Sequence, residues 1–478
     1  MKVSFGLFGF MGFVGALGLC LAALLEGGSY ILFYDAIIVM LMILPLIIVK
    51  DADDLFSPYL ILVVNVILLV IVSSLMIDWQ PDWLIERALI YNVLYFSAFF
   101  VGMMYRSVWL EGLGARVLCK LPSKWDEFSF QKVRLYTWVS MGFTAIIFVG
   151  SIVVSGINPY VNPIEYRWYM SSGGMDYISQ LFLFLLSSCL YINLLIDFRF
   201  SARNIVVFLV FLLLTIGLGR RGIVVIGFMM TALFWHNLRH RIKPLRLLVF
   251  FIPLVIFIVV AGVQRMIPAD SFSERIVMLW QFMQHLGLKT IVSQLLVNFD
   301  SFRNSLYFFD QYNNVYDNFH FFQPILDFLL QPIPRSLMHD KPLLFSIEMT
   351  KQFLPSVYEN GASFDFGEVA EGYYIAGPIG IAILAAINGI VTRTLVSLYG
   401  KNRRHLSFMF LYTFLIFLPT YWFKGGMINS FASIAAILFF IPAFLLLTYL
   451  RKPKCGTSRI PKLSGEVCAI STGRTEIP

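Results

Sequence analysis

Uninterrupted apolar blocks of about 18 to 24 residues recur from one end of this sequence to the other. Crossing the roughly 30 Å hydrocarbon core of a bilayer takes about 20 such residues in helical form, because each segment must satisfy its own backbone N–H and C=O groups. A barrel strand would instead alternate over about ten residues, so the blocks predict a helical polytopic protein and exclude a barrel. Composition agrees: of 478 residues 59% are hydrophobic and only 13% charged, against about a quarter charged in soluble domains. A soluble enzyme on a single anchor is excluded by the same recurrence. The formal charge of +8 does not imply a nucleic-acid partner, since in a membrane protein the placement of charge carries the information.

Blocks bounded by charge or Pro/Gly punctuation give an all-α integral membrane protein of about twelve spans, near 5–25, 30–49, 59–76, 88–105, 133–155, 177–196, 204–219, 222–237, 247–263, 375–396, 406–423 and 427–450. The first has only Lys2 before it and a second span close behind, which reads as a helix rather than a signal peptide. Sorting Lys and Arg by alternate loops places 24 of 36 on one side, so the positive-inside bias puts both termini in the cytoplasm. The expected plan is helices 1–9 in 1–263, a periplasmic subdomain in 264–374, helices 10–12 in 375–450 and a basic cytoplasmic tail in 451–478. The periplasmic subdomain carries twelve Asp/Glu against seven Lys/Arg, and chemistry is expected on that face. Within it Leu288, Val292, Leu295, Phe299, Phe302, Leu306 and Phe309 form one apolar helical stripe, expected to lie on the membrane or pack on the bundle. None of the five cysteines falls in an outer loop, and no Cys/His spacing resembles a zinc site.

The residues that go against the charge bias are the informative ones. GLGRRG at 217–222 satisfies G-x-G-x-x-G only literally, since no βαβ unit surrounds it. What remains is Arg220 and Arg221 on an outer hairpin, read as an anion site because a guanidinium fork suits phosphate oxygens, with an interfacial anchor as the plainer alternative. Arg265 emerges on the same face, where snorkelling competes with binding. In QPIPRSLMHDKP, 331–342, three prolines hold Arg335, His339, Asp340 and Lys341 on stiff irregular backbone, as a functional loop or a solvated turn. GASFDFGEVAEGYY, 361–374, places Asp365, Glu368, Glu371, Tyr373 and Tyr374 just outside or at the membrane surface. Glu368 and Glu371 share a face if helical, and either carboxylate is a candidate base for a sugar hydroxyl. The two tyrosines would stack on sugar or belong to an interfacial belt. Arg167 is a weaker outer candidate. DADD at 51–54 falls in a short cytoplasmic loop and reads as a solvated turn, so no metal is implied.

DLFSPY at 54–59, NPYVNPIEYR at 158–167, the GRRG turn, IPRSLMHDKP and the run GASFDFGEVAEGYYIAGPIG together resemble the Wzy-type O-antigen polymerases, which join oligosaccharide repeat units. The resemblance covers most of the chain in topology through short motifs. It implies a metal-independent glycosyltransferase with no cofactor. Such an enzyme transfers a growing glycan from undecaprenyl pyrophosphate to the non-reducing end of a lipid-linked repeat, at the periplasmic face of the bacterial inner membrane. Donor and acceptor lipids, surrounding membrane lipid and a chain-length regulator are the implied partners. Arg220, Arg221, Arg265 and Arg335 would bind the leaving pyrophosphate, and Lys341 the second lipid diphosphate. Glu368 or Glu371 would be the base, with His339 as the alternative. The sequence departs from the family pattern in its doubled arginine and in Lys424, where an arginine is frequent.

An O-antigen ligase shares the leaving group and a late outer loop. A flippase for lipid-linked sugars shares the many spans, but would be expected to carry charge along them facing a cavity.

Overall fold

The computed structural model describes residues 30–76, 81–162, 165–166, 169, 176–196, 202, 205, 208–211, 221–238, 241–242, 271–284, 301–315, 319–321, 323–330, 338, 340, 342–359, 363–428 and 435–452. Among these the protein is helical, and the pairing outside helices is one isolated bridge between Phe128 and Arg451. The helices are α1 (Tyr30–Ile48), α2 (Pro58–Val66, continued by a π-helical stretch Ile67–Val72 and Ser73–Met76), α3 (Asp82–Met104), α4 (Val108–Cys119), α5 (Phe130–Ser155), α6 (Asp176–Ile196) and α7 (Arg221–Leu238). The later part gives α8 (Phe272–Gln284), α9 (Ser301–Val315), α10 (Gln323–Leu330), α11 (Phe345–Phe353), α12 (Pro355–Glu359), α13 (Gly367–Asn402), α14 (Leu406–Leu415), α15 (Leu418–Gly425) and α16 (Ala435–Leu450).

Among the described residues five segments are long and apolar enough to cross a bilayer: α1, α3, α5, α13 and the α14–α15 pair. Of the twelve expected spans, 5–25 and 247–263 lie outside the described residues, and 204–219 does so for the most part. Local chemistry sets the helix starts. Ser57 caps α2 by accepting the Tyr59 N–H at 3.3 Å, and Pro58 at the first helical position forgoes an N–H that would have no partner. The Ser-Pro of DLFSPY is thereby a helix start. Ser107 caps α4 in the same way, through the N–H of Leu110.

The element that most departs from a simple span is α13. Its backbone breaks at Ala376 (φ −151°, ψ 31°) and Gly377 (φ 60°, ψ −145°). The residues on either side fold back on one another, since a Cβ on Gly372 would stand 2.7 Å from the Cα of Ile381. Nine residues of straight helix would separate these positions by about 13 Å. The first limb, 367–375, runs antiparallel to α3: Tyr373 meets Arg87, and Glu368 meets Tyr95 two turns further along. The second limb, 378–402, then returns alongside α3. Helix α9 packs against α3 and α13 through Phe309, which contacts Tyr91 and Tyr373, while Asn304 donates to the Asp365 carbonyl at 3.0 Å. The apolar stripe read for this region is therefore directed at the bundle where it is described, with Phe302, Leu306 and Phe309 buried. Leu288, Val292, Leu295 and Phe299 lie outside the described residues.

Charged groups that the loop sorting placed on one side do meet at one end of the bundle. Arg403 donates to Asp51 and Asp54, each at 2.8 Å, and lies 5.1 Å over the Tyr399 ring. Tyr399 donates to Asp54 at 3.1 Å and stacks on Tyr412, whose hydroxyl donates to the Phe56 carbonyl. This corrects the reading of DADD as a solvated turn: two of its carboxylates form a fork for the guanidinium that ends α13. Beside it Glu111 binds Arg106 and Lys401 at 2.8 and 2.7 Å, tying α4 to the same helix end.

Candidate active site

The folded-back limb of α13 carries both candidate glutamates, and both are fully buried. Burial follows from the break: the hairpin turns GEVAEGYY inward, so the carboxylates sit inside the bundle rather than at its surface. Tyr95 lies about 20 Å along α3 from its start at 1.5 Å per residue, which fixes the depth of Glu368 relative to that helix.

Glu368 Oε2 accepts the Tyr95 hydroxyl at 2.5 Å and the Asn388 amide at 2.8 Å. Asn388 Nδ2 also lies 2.8 Å from Tyr95 Oη and 3.3 Å from the Pro419 carbonyl, so α3 and the second limb of α13 meet at one carboxylate oxygen and Asn388 links them to α15. The other oxygen, Oε1, is buried with no hydrogen-bond partner among the described residues. Buried acceptors of this kind are few in native proteins, and each calls for a cause such as a reactive role or a missing ligand.

Glu371 is differently placed. Its Oε2 accepts the Ile428 N–H at 3.0 Å, and its carboxylate packs on Gly426, where a Cβ would lie 2.7 Å from it. Lys424, on α15, stands 3.5 Å from Asp365. A small crevice with room for about one water reaches Gly367 and Val369, on either side of Glu368, and is also lined by Asn92, Ser301 and Ser305.

Tyr373 and Tyr374 are buried, which corrects their reading as rings on which a sugar stacks. Tyr373 sits among Phe308, Phe309, Tyr312 and Phe319, and its hydroxyl accepts from Arg87 at 3.0 Å. The His320 ring stacks on Tyr374 at 4.4 Å and its backbone N–H donates to the Tyr374 carbonyl. Both rings thus fix the α13 turn to the segments preceding it.

Arg167, Arg220, Arg265, Arg335, His339 and Lys341 lie outside the described residues. Arg221 opens α7, and its backbone alone is described. The structure accordingly brings together Glu368, Glu371, Tyr373 and Tyr374 and leaves the cationic half of the expected site unplaced.

Three residues of this region escaped the sequence reading, and a fourth, Arg87, entered it only as one of the outward cations. Tyr95 and Asn388 bind Glu368, Arg87 binds Tyr373, and Asp35 is buried in α1, where one oxygen lies 2.8 Å from the Ser74 hydroxyl. Each is a lone polar side chain in or beside an apolar block, a position where a polar group is costly and therefore informative. Among the described residues no cluster of three or more His, Cys, Asp or Glu is arranged to hold a metal ion. Comparison with protein-family models, with curated proteins and with solved structures finds no match.

Proposed function

We propose that this chain polymerises lipid-linked oligosaccharide repeat units. In this reading it moves a growing glycan from undecaprenyl pyrophosphate to a hydroxyl at the non-reducing end of the next lipid-linked unit, at the periplasmic face of a bacterial inner membrane. The supporting structural observation is the Glu368 carboxylate, held inside the bundle by Tyr95 and Asn388 with one oxygen left open. The supporting sequence observation is the set of motifs that resemble those of the Wzy-type polymerases, one of which contains that glutamate.

The chemistry asks for two things. A base must take the acceptor hydroxyl proton as its oxygen attacks the anomeric carbon, and cations must stabilise the pyrophosphate that leaves with the electron pair of the broken C–O bond. Glu368 or Glu371 suits the first task. Arg220, Arg221, Arg265, Arg335 and Lys341, with Arg167, suit the second, since fixed guanidiniums need little reorganisation as charge develops. No metal enters this scheme.

A second reading, a transporter of the same lipid-linked sugar, gains from one observation. Transporters commonly place their binding groups on interrupted helices within the bundle, and α13 is interrupted beside two buried carboxylates. The polymerase reading ranks above it because a transporter has no need of the large acidic loop read between 264 and 374.

The readings separate on a gel of surface lipopolysaccharide from a producing strain that lacks this chain. Loss of the ladder to core plus one repeat unit supports the polymerase. Bare core with no repeat unit points to ligase or transporter and overturns the proposal.

A further inference from the structure

Resting on the function proposed above, we infer that Glu368 alone of the two glutamates is the base, that Oε1 is its proton-accepting atom, and that Tyr95 and Asn388 are positioning residues.

The argument is one of hydrogen-bond counting. Tyr95 has a single hydroxyl proton, and its 2.5 Å separation from Glu368 Oε2 commits that proton there. Asn388 has two amide protons, with Glu368 Oε2, Tyr95 Oη and the Pro419 carbonyl all in reach. Oε2 is thus an acceptor for two neighbouring groups and is pinned between α3 and the second limb of α13. A proton arriving at the carboxylate has its place on Oε1, which has no partner among the described residues. An acceptor-sugar hydroxyl is the complementary group: its O–H satisfies Oε1 before reaction and passes its proton there as the new glycosidic bond forms. The proton ends on Oε1, while the electron pair of the broken anomeric C–O bond leaves with pyrophosphate.

Glu371 lacks this openness. Its carboxylate receives the Ile428 N–H and presses on Gly426, whose φ of +88° and absent Cβ let the chain pass. It is an anchor for the turn after α15.

The test uses the purified full chain in proteoliposomes, with lipid-linked repeat units as donor and acceptor, and measures kcat, KM and melting temperature for each variant. Tyr95→Phe keeps the ring and removes one hydrogen bond to a charged group, so kcat is expected to fall about 10- to 100-fold. KM for the acceptor should stay within about twofold, a split that a merely structural residue would not produce. Asn388→Asp keeps the shape, replaces the donor by a second carboxylate and should lower kcat further. Glu371→Gln should retain kcat within a few-fold while losing melting temperature. Wild-type kcat in Tyr95→Phe, or a Glu371→Gln protein as inactive as Glu368→Gln, overturns the assignment while leaving the function standing. A folded wild-type protein that forms no polymer overturns the function and the assignment with it.

Discussion

Asn388 follows Glu368 by twenty residues on one helical segment, yet its amide lies 2.8 Å from that carboxylate. In an unbroken helix the two would stand about 30 Å apart. The break at Ala376–Gly377 closes that distance and carries the candidate base into the bundle, so the hairpin is the structural precondition for the site.

Gly377 is the first place to test this. Its φ of +60° with ψ near −145° belongs to a region essentially reserved for glycine, and a Cβ would lie 2.8 Å from the Phe319 ring. Gly377→Ala is expected to cost about 1–3 kcal/mol, read as a lower melting temperature in detergent and lower membrane abundance. An unchanged melting temperature would mean that the turn is not held as described.

The turn after α15 offers a second test. With a Cβ at position 426 pressing on the Glu371 carboxylate, Gly426→Ala should be more destabilising than Glu371→Gln, which removes charge but little volume. Thermal melting of the two variants side by side gives the order, and the reverse order contradicts the anchoring role of Glu371.

How much of this was legible in the sequence depends on the range of the interaction. Apolar blocks predict α1, α3, α5 and α14 well because a bilayer imposes one length and one composition on every span. The hairpin was hidden because GEVAEGYYIAGPIGI also reads as a surface loop entering a span, and only Gly377–Pro378 hinted at a break. The Glu368 partners are separated from it by 273 and 20 residues, and no local pattern encodes such a meeting. Asp51 and Asp54 were misread for the same reason: their guanidinium partner is some 350 residues away, and the turn looks solvated without it.

The Glu111 cluster makes a pH prediction. Hydrogen bonding from Arg106, opposed by burial and helped by Lys401, draws its carboxyl from the ordinary 4.5 down to about 2. A carboxyl lowered in the folded state stabilises fully above its unfolded value and loses that contribution as pH falls through the folded one. The melting-temperature difference between wild type and Glu111→Gln should therefore be constant above about pH 5 and shrink as pH falls from 4.5 toward 2. An equal difference at pH 7 and pH 3 would contradict the pairing.

The most direct measurement is the surface glycan of a strain lacking the chromosomal copy and supplied with Glu368→Gln, with membrane abundance of the protein measured in parallel. Gln keeps the shape and the contacts of Oε2 but cannot accept the hydroxyl proton. The account predicts collapse of the ladder to a single repeat unit at wild-type abundance. A full-length ladder from Glu368→Gln would contradict it.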